Sequence, residues 1–370
     1  MLEQVLQPLP LFLLVIIALY TLVLVALLNK IARLTVSTST SIENAQQIEQ
    51  QIAHQPPSEA ILKQYKDKAD EAMRLNQTFR KFVPKQFVDH LAKHGSDGSD
   101  TLELGRADED ELAILFSDIR GFTSLSEQMS PQELMNFLNS YFLRMNEPIH
   151  KNNGFIDKFI GDAVMALFDN PTGTNTDKAQ DAIRAAIDLR YAIDLYNQHR
   201  ANCNYPPVNI GIGIHFGPVI IGTVGSDDRM DTTVIGDSVN IAFRLEALAP
   251  KYNTDIVISA QTLNQAQAKG LFEYRLLDWV RVKGRKTPIE VYEIIDHQDT
   301  NVKQLKLSNA ALIAQGLDFR KQQNWQQAIT HFKQALDIYP GDTLAINHLD
   351  QCAKLQNSEL AEDWDGSILL

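Results

Sequence analysis

Two aspartates, each at the end of an apolar strand, are the residues of this chain best placed to do chemistry. Asp118 closes the run Leu112-Ala113-Ile114-Leu115-Phe116 and is followed by Ile119-Arg120-Gly121-Phe122-Thr123, a glycine-containing turn that starts a helix. That order predicts a buried strand delivering a carboxylate to a cluster of free main-chain N–H groups, where divalent metal and phosphate can be held together. Asp162 stands in the stretch 158–166, K-F-I-G-D-A-V-M-A, in which Gly161-Asp162 forms the tip of a hairpin between two apolar strands. Most turn aspartates only cap their turns. Two of them on neighbouring strand ends are also the minimum for a two-metal phosphoryl-transfer site.

A third segment carries groups that suit the phosphoryl side of such a reaction. After Gly236-Asp237-Ser238, where the Asp/Ser pair is able to cap, Val239, Ala242, Leu245 and Leu248 recur with helical period. Asn240 and Arg244, at i and i+4, then share the opposite face. An amide and a guanidinium side by side match a pentavalent phosphoryl group, whose charge spreads over its oxygens.

From about Asp110 to Ile295, roughly half the chain, these stretches resemble the catalytic domain of the class III nucleotidyl cyclases. F-S-D-I-R-G-F-T at 116–123 is similar to the first metal-binding segment of that family, and K-F-I-G-D-A-V-M-A to the second. G-I-G-I-H-F-G-P-V at 211–219 resembles its glycine-rich strand, and the segment 229–246 its transition-state segment. V-R-V-K-G at 280–284 resembles the stretch bearing its phosphate-contacting lysine. One departure is Phe243, where a small residue is commoner; it is expected to perturb helix packing more than chemistry.

The resemblance implies an α+β, ferredoxin-like catalytic domain that converts ATP to 3′,5′-cyclic AMP and pyrophosphate. Asp118 and Asp162, with Ile119, would hold two Mg²⁺ or Mn²⁺ ions. Main-chain N–H groups from Ile119 to Thr123, including those of Phe122 and Thr123, would cradle the phosphates. Asn240 would orient the ribose and Arg244 would stabilise transition-state charge. Lys283, with Arg229 as a further candidate, would contact the terminal phosphates. Lys158 and Thr233 occupy the base-selecting positions, and the threonine form looks like a bacterial adenylate cyclase subgroup. The family shares each site between two catalytic domains, so this chain, carrying every element once, would form a homodimer with two sites. The competing readings are a guanylate cyclase acting on GTP and a catalytically silent, membrane-tethered adaptor. No metal aspartate is lost, and Arg244 is kept, which counts against the adaptor.

Other chemistries fit poorly. The glycines at 211, 213 and 217 do not form G-x-G-x-x-G, G-x-x-x-x-G-K-[ST] is absent, and so is the G-G-[DE]-E-F signature of diguanylate cyclases. A net charge of −12 over 370 residues argues against a nucleic-acid binder. The two cysteines, Cys203 and Cys352, lack metal-ligand spacing and fit a reducing compartment.

The elements that must position these residues follow in order. After a short external N-terminus (1–10), Leu11 to Leu28 is an 18-residue apolar run long enough to span a bilayer. Lys30 and Arg33 follow it and no basic residue precedes it, which predicts a single-pass anchor in the inner or plasma membrane with a cytoplasmic catalytic domain. A linker (29–107) is interrupted at Pro56-Pro57 and at the glycine- and serine-rich joint Gly95–Asp100. Between them Leu62, Tyr65, Ala69 and Ala72 form a short heptad-like stripe, continued by Phe79 and Phe82. The catalytic domain is placed at 108–296, with strands at 111–117, 153–160, 163–168, 208–216, 218–225, 272–282 and 288–295. Long helices are placed at 131–149 and 177–199, and a shorter one from Ser238. Residues 305–356 are similar to one tetratricopeptide repeat with a capping helix, through Gly316, Phe319, Ala328, Phe332, Ala335 and Pro340. One repeat cannot bury its own apolar face, so it should pack on the catalytic domain or on a protein partner. The tail 357–370 is expected to be flexible.

Overall fold

A computed structural model describes residues 59–79, 107–170, 172–226, 228–281, 287–360 and 364–369. The apolar run 11–28, the breaks at Pro56-Pro57 and Gly95–Asp100, and Lys283 lie outside them. Among the described residues no helix is long and apolar enough to cross a membrane. Helix α1 (Glu59–Phe79) carries most of the heptad-like stripe and belongs to a unit of its own. Its described side chains, 63–75, are all exposed.

The second unit is built on one mixed sheet. Its strands are β1 (Ala107–Ile119), β2 (Phe155–Ile160), β3 (Ala163–Phe168), β4 (Ile210–Ser226), β5 (Arg229–Ile235), β6 (Ile256–Ser259), β7 (Tyr274–Arg281), β8 (Ile289–Ile294) and β9 (Ile368–Leu369). They lie in the order β2-β3-β1-β4-β6-β8-β7-β9, with β5 added to the far end of β4. Leu112 to Phe116 are all buried because both faces of β1 are covered, and a strand covered twice is apolar without alternation. On one face Ala113 and Leu115 meet Phe137 and Tyr141 of α3 (Pro131–Lys151), and Ala182 and Leu189 of α4 (Asn175–Asn202). On the other, Leu112, Ile114 and Phe116 meet Val219, Ile221 and Ala242. Both long helices begin in capping boxes, Ser130 with Glu133 and Thr174 with Asp177.

The two strands expected at 208–216 and 218–225 are one. β4 runs unbroken through Gly217-Pro218 because β1 templates it from Ile210 to Gly222. On its other edge β6 pairs with 212–214 and β5 begins only at Ile220, so Pro218 falls where no donor is required. The hairpin turn lies past Ser226 instead. Between β4 and β7 the chain adds helix α5 (Asp237–Glu246) and the short α6 (Ala260–Gln265). Helix α2 (Phe122–Ser126) follows β1.

The C-terminal helices are α7 (Thr300–Lys321), α8 (Trp325–Ile338) and α9 (Thr343–Leu355). The first starts at the Asp299 cap, earlier than the expected boundary at 305. Gly316 admits the Phe332 ring, since a Cβ there would come 2.6 Å from it. The apolar face is covered by the sheet: Ile313, Leu317 and Phe332 share a core with Leu277, Trp279, Val291 and, from α5, Leu245. Buried charges run through this contact. Arg275 holds Asp342 with two bonds of 2.6 and 2.9 Å and also pairs with Glu293, while Lys306 meets Glu293 at 2.9 Å. Arg320 pairs with Asp278, whose Oδ2 accepts from Tyr252 at 2.7 Å. The tail departs from its expected flexibility. β9 pairs in parallel with β7, Asp365 bonds Arg281 at 2.7 Å, and Trp364 packs on Trp325. An open β7 edge and a cation at its end give the tail its binding partners.

Candidate active site

The register of three strands brings the two aspartates together. Ser117 pairs with Val164 and Asp118 with Gly211, so the end of β1 lies beside the β2–β3 turn. Gly161 takes φ 66° there, the left-handed conformation that a two-residue hairpin demands and glycine adopts without strain. Asp118 and Asp162 are both half-buried, and the Ile119 N–H donates to each, at 3.1 and 3.2 Å. Burial, a hydrogen bond that the protonated form donates to Asp162, and the charges of Asp162 and Glu246 push the Asp118 carboxyl up to about 7. Two carboxyl groups this close form an all-oxygen pair whose charge a hard divalent cation would balance. Among the described residues no group of three or more His, Cys, Asp or Glu is placed to hold an ion.

The expected cradle of N–H groups is narrower than the sequence implied. The Ile119 N–H serves the two carboxylates and that of Arg120 donates to Asn209 O at 2.8 Å. What remains is the first turn of α2, at Gly121 to Thr123, which by geometry lacks intrahelical acceptors.

Helix α5 reaches the site by lying directly on the glycine-rich strand. A Cβ on Gly213 would run into the main chain of Ala242 and Glu246, and one on Gly211 would stand 2.6 Å from Glu246 Oε1. Ala242, Leu245 and Leu248 are buried as the period predicted; Asn240 is exposed and Arg244 half-buried. The cap differs from expectation. Gly236 is the N-cap, and the Ser238 hydroxyl donates to Pro218 O at 2.8 Å instead. Phe243 does not disturb the packing: it is 52% exposed and meets Phe116 edge-on at 5.4 Å.

Lys158 and Thr233 come together across β2 and β5, around a residue that the sequence reading missed. The Thr233 hydroxyl donates to Asp157 Oδ2 at 3.3 Å, and Lys158 Nζ lies 3.7 Å from the same oxygen and 3.3 Å from Asp231. Burial pushes Asp157 up to about 6, against the lowering by Lys158 and Thr233. Glu246 was also missed as a participant: burial pushes it up to about 7, with Arg120 opposing and Asp162 adding to the rise. Neither had a signal in spacing, since strand alternation would turn Asp157 away from Lys158, and Glu246 is an ordinary end-of-helix residue. Arg229 sits at the turn end of β5, four residues or about 13 Å of strand beyond Thr233.

Residues 105–296 match the family described as the adenylate and guanylate cyclase catalytic domain. The adenylate cyclase of Anabaena cylindrica is 42% identical over 222 residues, 59% of this chain and 42% of that protein. The terminal-differentiation-specific adenylate cyclase of Dictyostelium discoideum is 34% identical over 290 residues, 78% of this chain and 13% of that protein. The chain thus spans less than half the length of either relative. A bacterial light-regulated adenylyl cyclase structure superposes with a TM-score of 0.56 at 28% identity, over 68% of this chain and 69% of that one.

Proposed function

Because the chain belongs to the adenylate and guanylate cyclase catalytic family, we propose that it converts ATP to 3′,5′-cyclic AMP and pyrophosphate. The observation that carries the choice of ATP is the joining of Lys158 and Thr233 around Asp157. Lys158 offers donors only and matches the lone pair of adenine N1, while it cannot accept the N1–H of guanine. Named relatives that are adenylate cyclases support the same reading.

Asp118, Asp162 and the main-chain oxygen of Ile119 would hold two divalent cations, which when bound lower the pKa of the attacking ribose hydroxyl and offset phosphate charge. Asn240 orients the ribose for in-line attack on the α-phosphorus. Arg244 spreads its donors over the equatorial oxygens as charge builds in the transition state. The first-turn N–H groups of Phe122 and Thr123 face phosphate, with Lys283 and Arg229 assigned to its far end.

The homodimer reading rests on exposed apolar residues of the elements that carry the site. Phe159, Ile160, Ile220, Val224, Met230, Ile235 and Phe243 are all 40% or more exposed. They lie on the β2–β3 hairpin, β4, β5 and α5, which suits a second catalytic domain that completes each site. The apolar run Leu11–Leu28 supports a membrane anchor with the catalytic domain in the cytoplasm, where ATP is available.

The 370-residue chain supplied with ATP or GTP and Mn²⁺, its products separated by chromatography, tests the assignment. Cyclic AMP should dominate at matched concentrations. Equal or greater turnover of GTP would promote the guanylate cyclase reading. Lys158→Glu with Thr233→Cys should move the preference toward GTP by about ten- to a hundredfold.

A further inference from the structure

One buried carboxylate lies between the two base-selecting side chains. Asp157 is the extra residue of a β-bulge: Ile156 pairs with Ala166 and Lys158 with Met165, leaving Asp157 without a partner on β3. In a regular strand Asp157 and Lys158 would point to opposite faces; the bulge turns both toward β5. The Asp157 side chain is 1% exposed. Its Oδ2 accepts from Thr233 at 3.3 Å, and its Oδ1 is buried with no hydrogen-bond partner.

A threonine hydroxyl has one proton and two lone pairs. Left alone, Thr233 could accept from the 6-amino group of adenine or donate to the 6-oxo group of guanine, and would discriminate weakly. Here its proton is committed to Asp157, so only lone pairs face outward. We propose that Asp157 is a positioning residue for base choice: it fixes the Thr233 hydroxyl as an acceptor and so selects a 6-aminopurine over a 6-oxopurine. The same carboxylate lies 3.7 Å from Lys158 Nζ, close enough to hold the ammonium that serves N1. Acceptor and donor are then presented in the order that adenine needs. An asparagine at 157 would offer both an N–H and a carbonyl, and the hydroxyl would turn either way. The inference rests on the adenylate cyclase reading and deepens it.

The test measures kcat/KM for ATP and GTP with Mn²⁺ on the whole 370-residue chain as wild type, Asp157→Asn, Thr233→Val and the double variant. Asp157→Asn should lower the ATP-to-GTP ratio by about tenfold, chiefly through KM for ATP, as expected for one mispaired buried group. In the Thr233→Val background the same change should move the ratio less than about twofold, since no hydroxyl is left to orient. A folded Asp157→Asn protein with the wild-type ratio overturns the proposal, and so does an undiminished effect when Thr233→Val is already present. Should Asp157→Asn fail to fold, wild type decides with purine riboside triphosphate, which lacks the 6-amino group. It should be used about tenfold less well than ATP, and equal use would mean that no acceptor faces that position. A wild type that prefers GTP would instead sink the adenylate cyclase reading itself.

Discussion

The half-buried carboxylates at the end of β1 and the fully buried ones beneath the C-terminal helices titrate in the opposite order from their depth. Asp118 and Glu246 are half-buried, yet each is pushed up to about 7. Glu293 and Asp342 are 0% and 1% exposed, yet both are held below their ordinary range. Burial raises all four, so depth does not explain the difference. Glu293 has Arg275 and Lys306 against it, and Asp342 has the two-pronged Arg275 with Asn309. Asp118 has only carboxylates as charged neighbours, Asp162 and Glu246, and at Glu246 burial outweighs the lowering by Arg120. A chain that neutralises its structural charges internally and leaves its site charges uncompensated has reserved the latter for something that binds.

Removing a carboxylate should therefore do opposite things in the two places. Asp118→Ala or Asp162→Ala should lower cyclase activity by about 10³-fold or more. Neither should lower the melting temperature of metal-free protein, because the change relieves a repulsive pair. Full activity in either variant, or marked unfolding, would break the comparison at the site. Asp342→Ala should instead destabilise by about 3–5 kcal/mol, leaving Arg275 short of a partner and α9 without its cap, as chemical denaturation would show. A neutral result would mean that this ion network contributes little.

If the site is open because a second subunit completes it, Asp118→Ala and Arg244→Ala should each be nearly inactive. Mixed in equal amounts they should regain about a quarter of wild-type activity, since half the dimers carry one intact site of two. Demonstrably mixed dimers without activity would favour a site built within one chain.

The smallest effect concerns pH. Asp118 has a raised folded pKa, so its contribution to metal-free stability is present below about 4 and lost as pH rises through about 7. The lowered carboxylates beneath the helices act the other way, present above about 4 and lost as pH falls through their folded values. His348 adds to this second trend. Burial lowers it to about 4, and it stays neutral with Nε2 donating to Leu277 O at 2.9 Å and Nδ1 accepting from Arg320 at 3.3 Å. His348 by itself should thus cost stability as pH drops from about 6.5 toward 4, against the gain from Asp118 over the same range. His348→Gln, which keeps a donor and an acceptor, should remove that loss, so its melting temperature gains on wild type as pH falls through this range. An unchanged slope would remove His348 from the account.

Chemistry written in local order was legible in the residues. The apolar run ending in Asp118, the Gly161-Asp162 turn and the i, i+4 pair Asn240 and Arg244 stand where their spacing put them. So do the helical period of α5 and the apolar strand Ala163–Phe168. Each depends on contacts between residues a few positions apart, where strand and helix periods alone decide direction.

What the sequence could not supply came from partners distant in the chain. Continuity of β4 through Pro218 depends on β1 from a hundred residues earlier, and β9 depends on an unpaired edge of β7. Asp157 faces Thr233 only because a bulge against β3 reverses its side chain. Glu246 joins the aspartates only because two glycines let α5 settle onto β4. The types and order of the groups that could act were determined by the sequence itself. Which carboxylates find a cation and which are left facing each other was decided by the tertiary structure, because electrostatic compensation depends on distances that only packing creates.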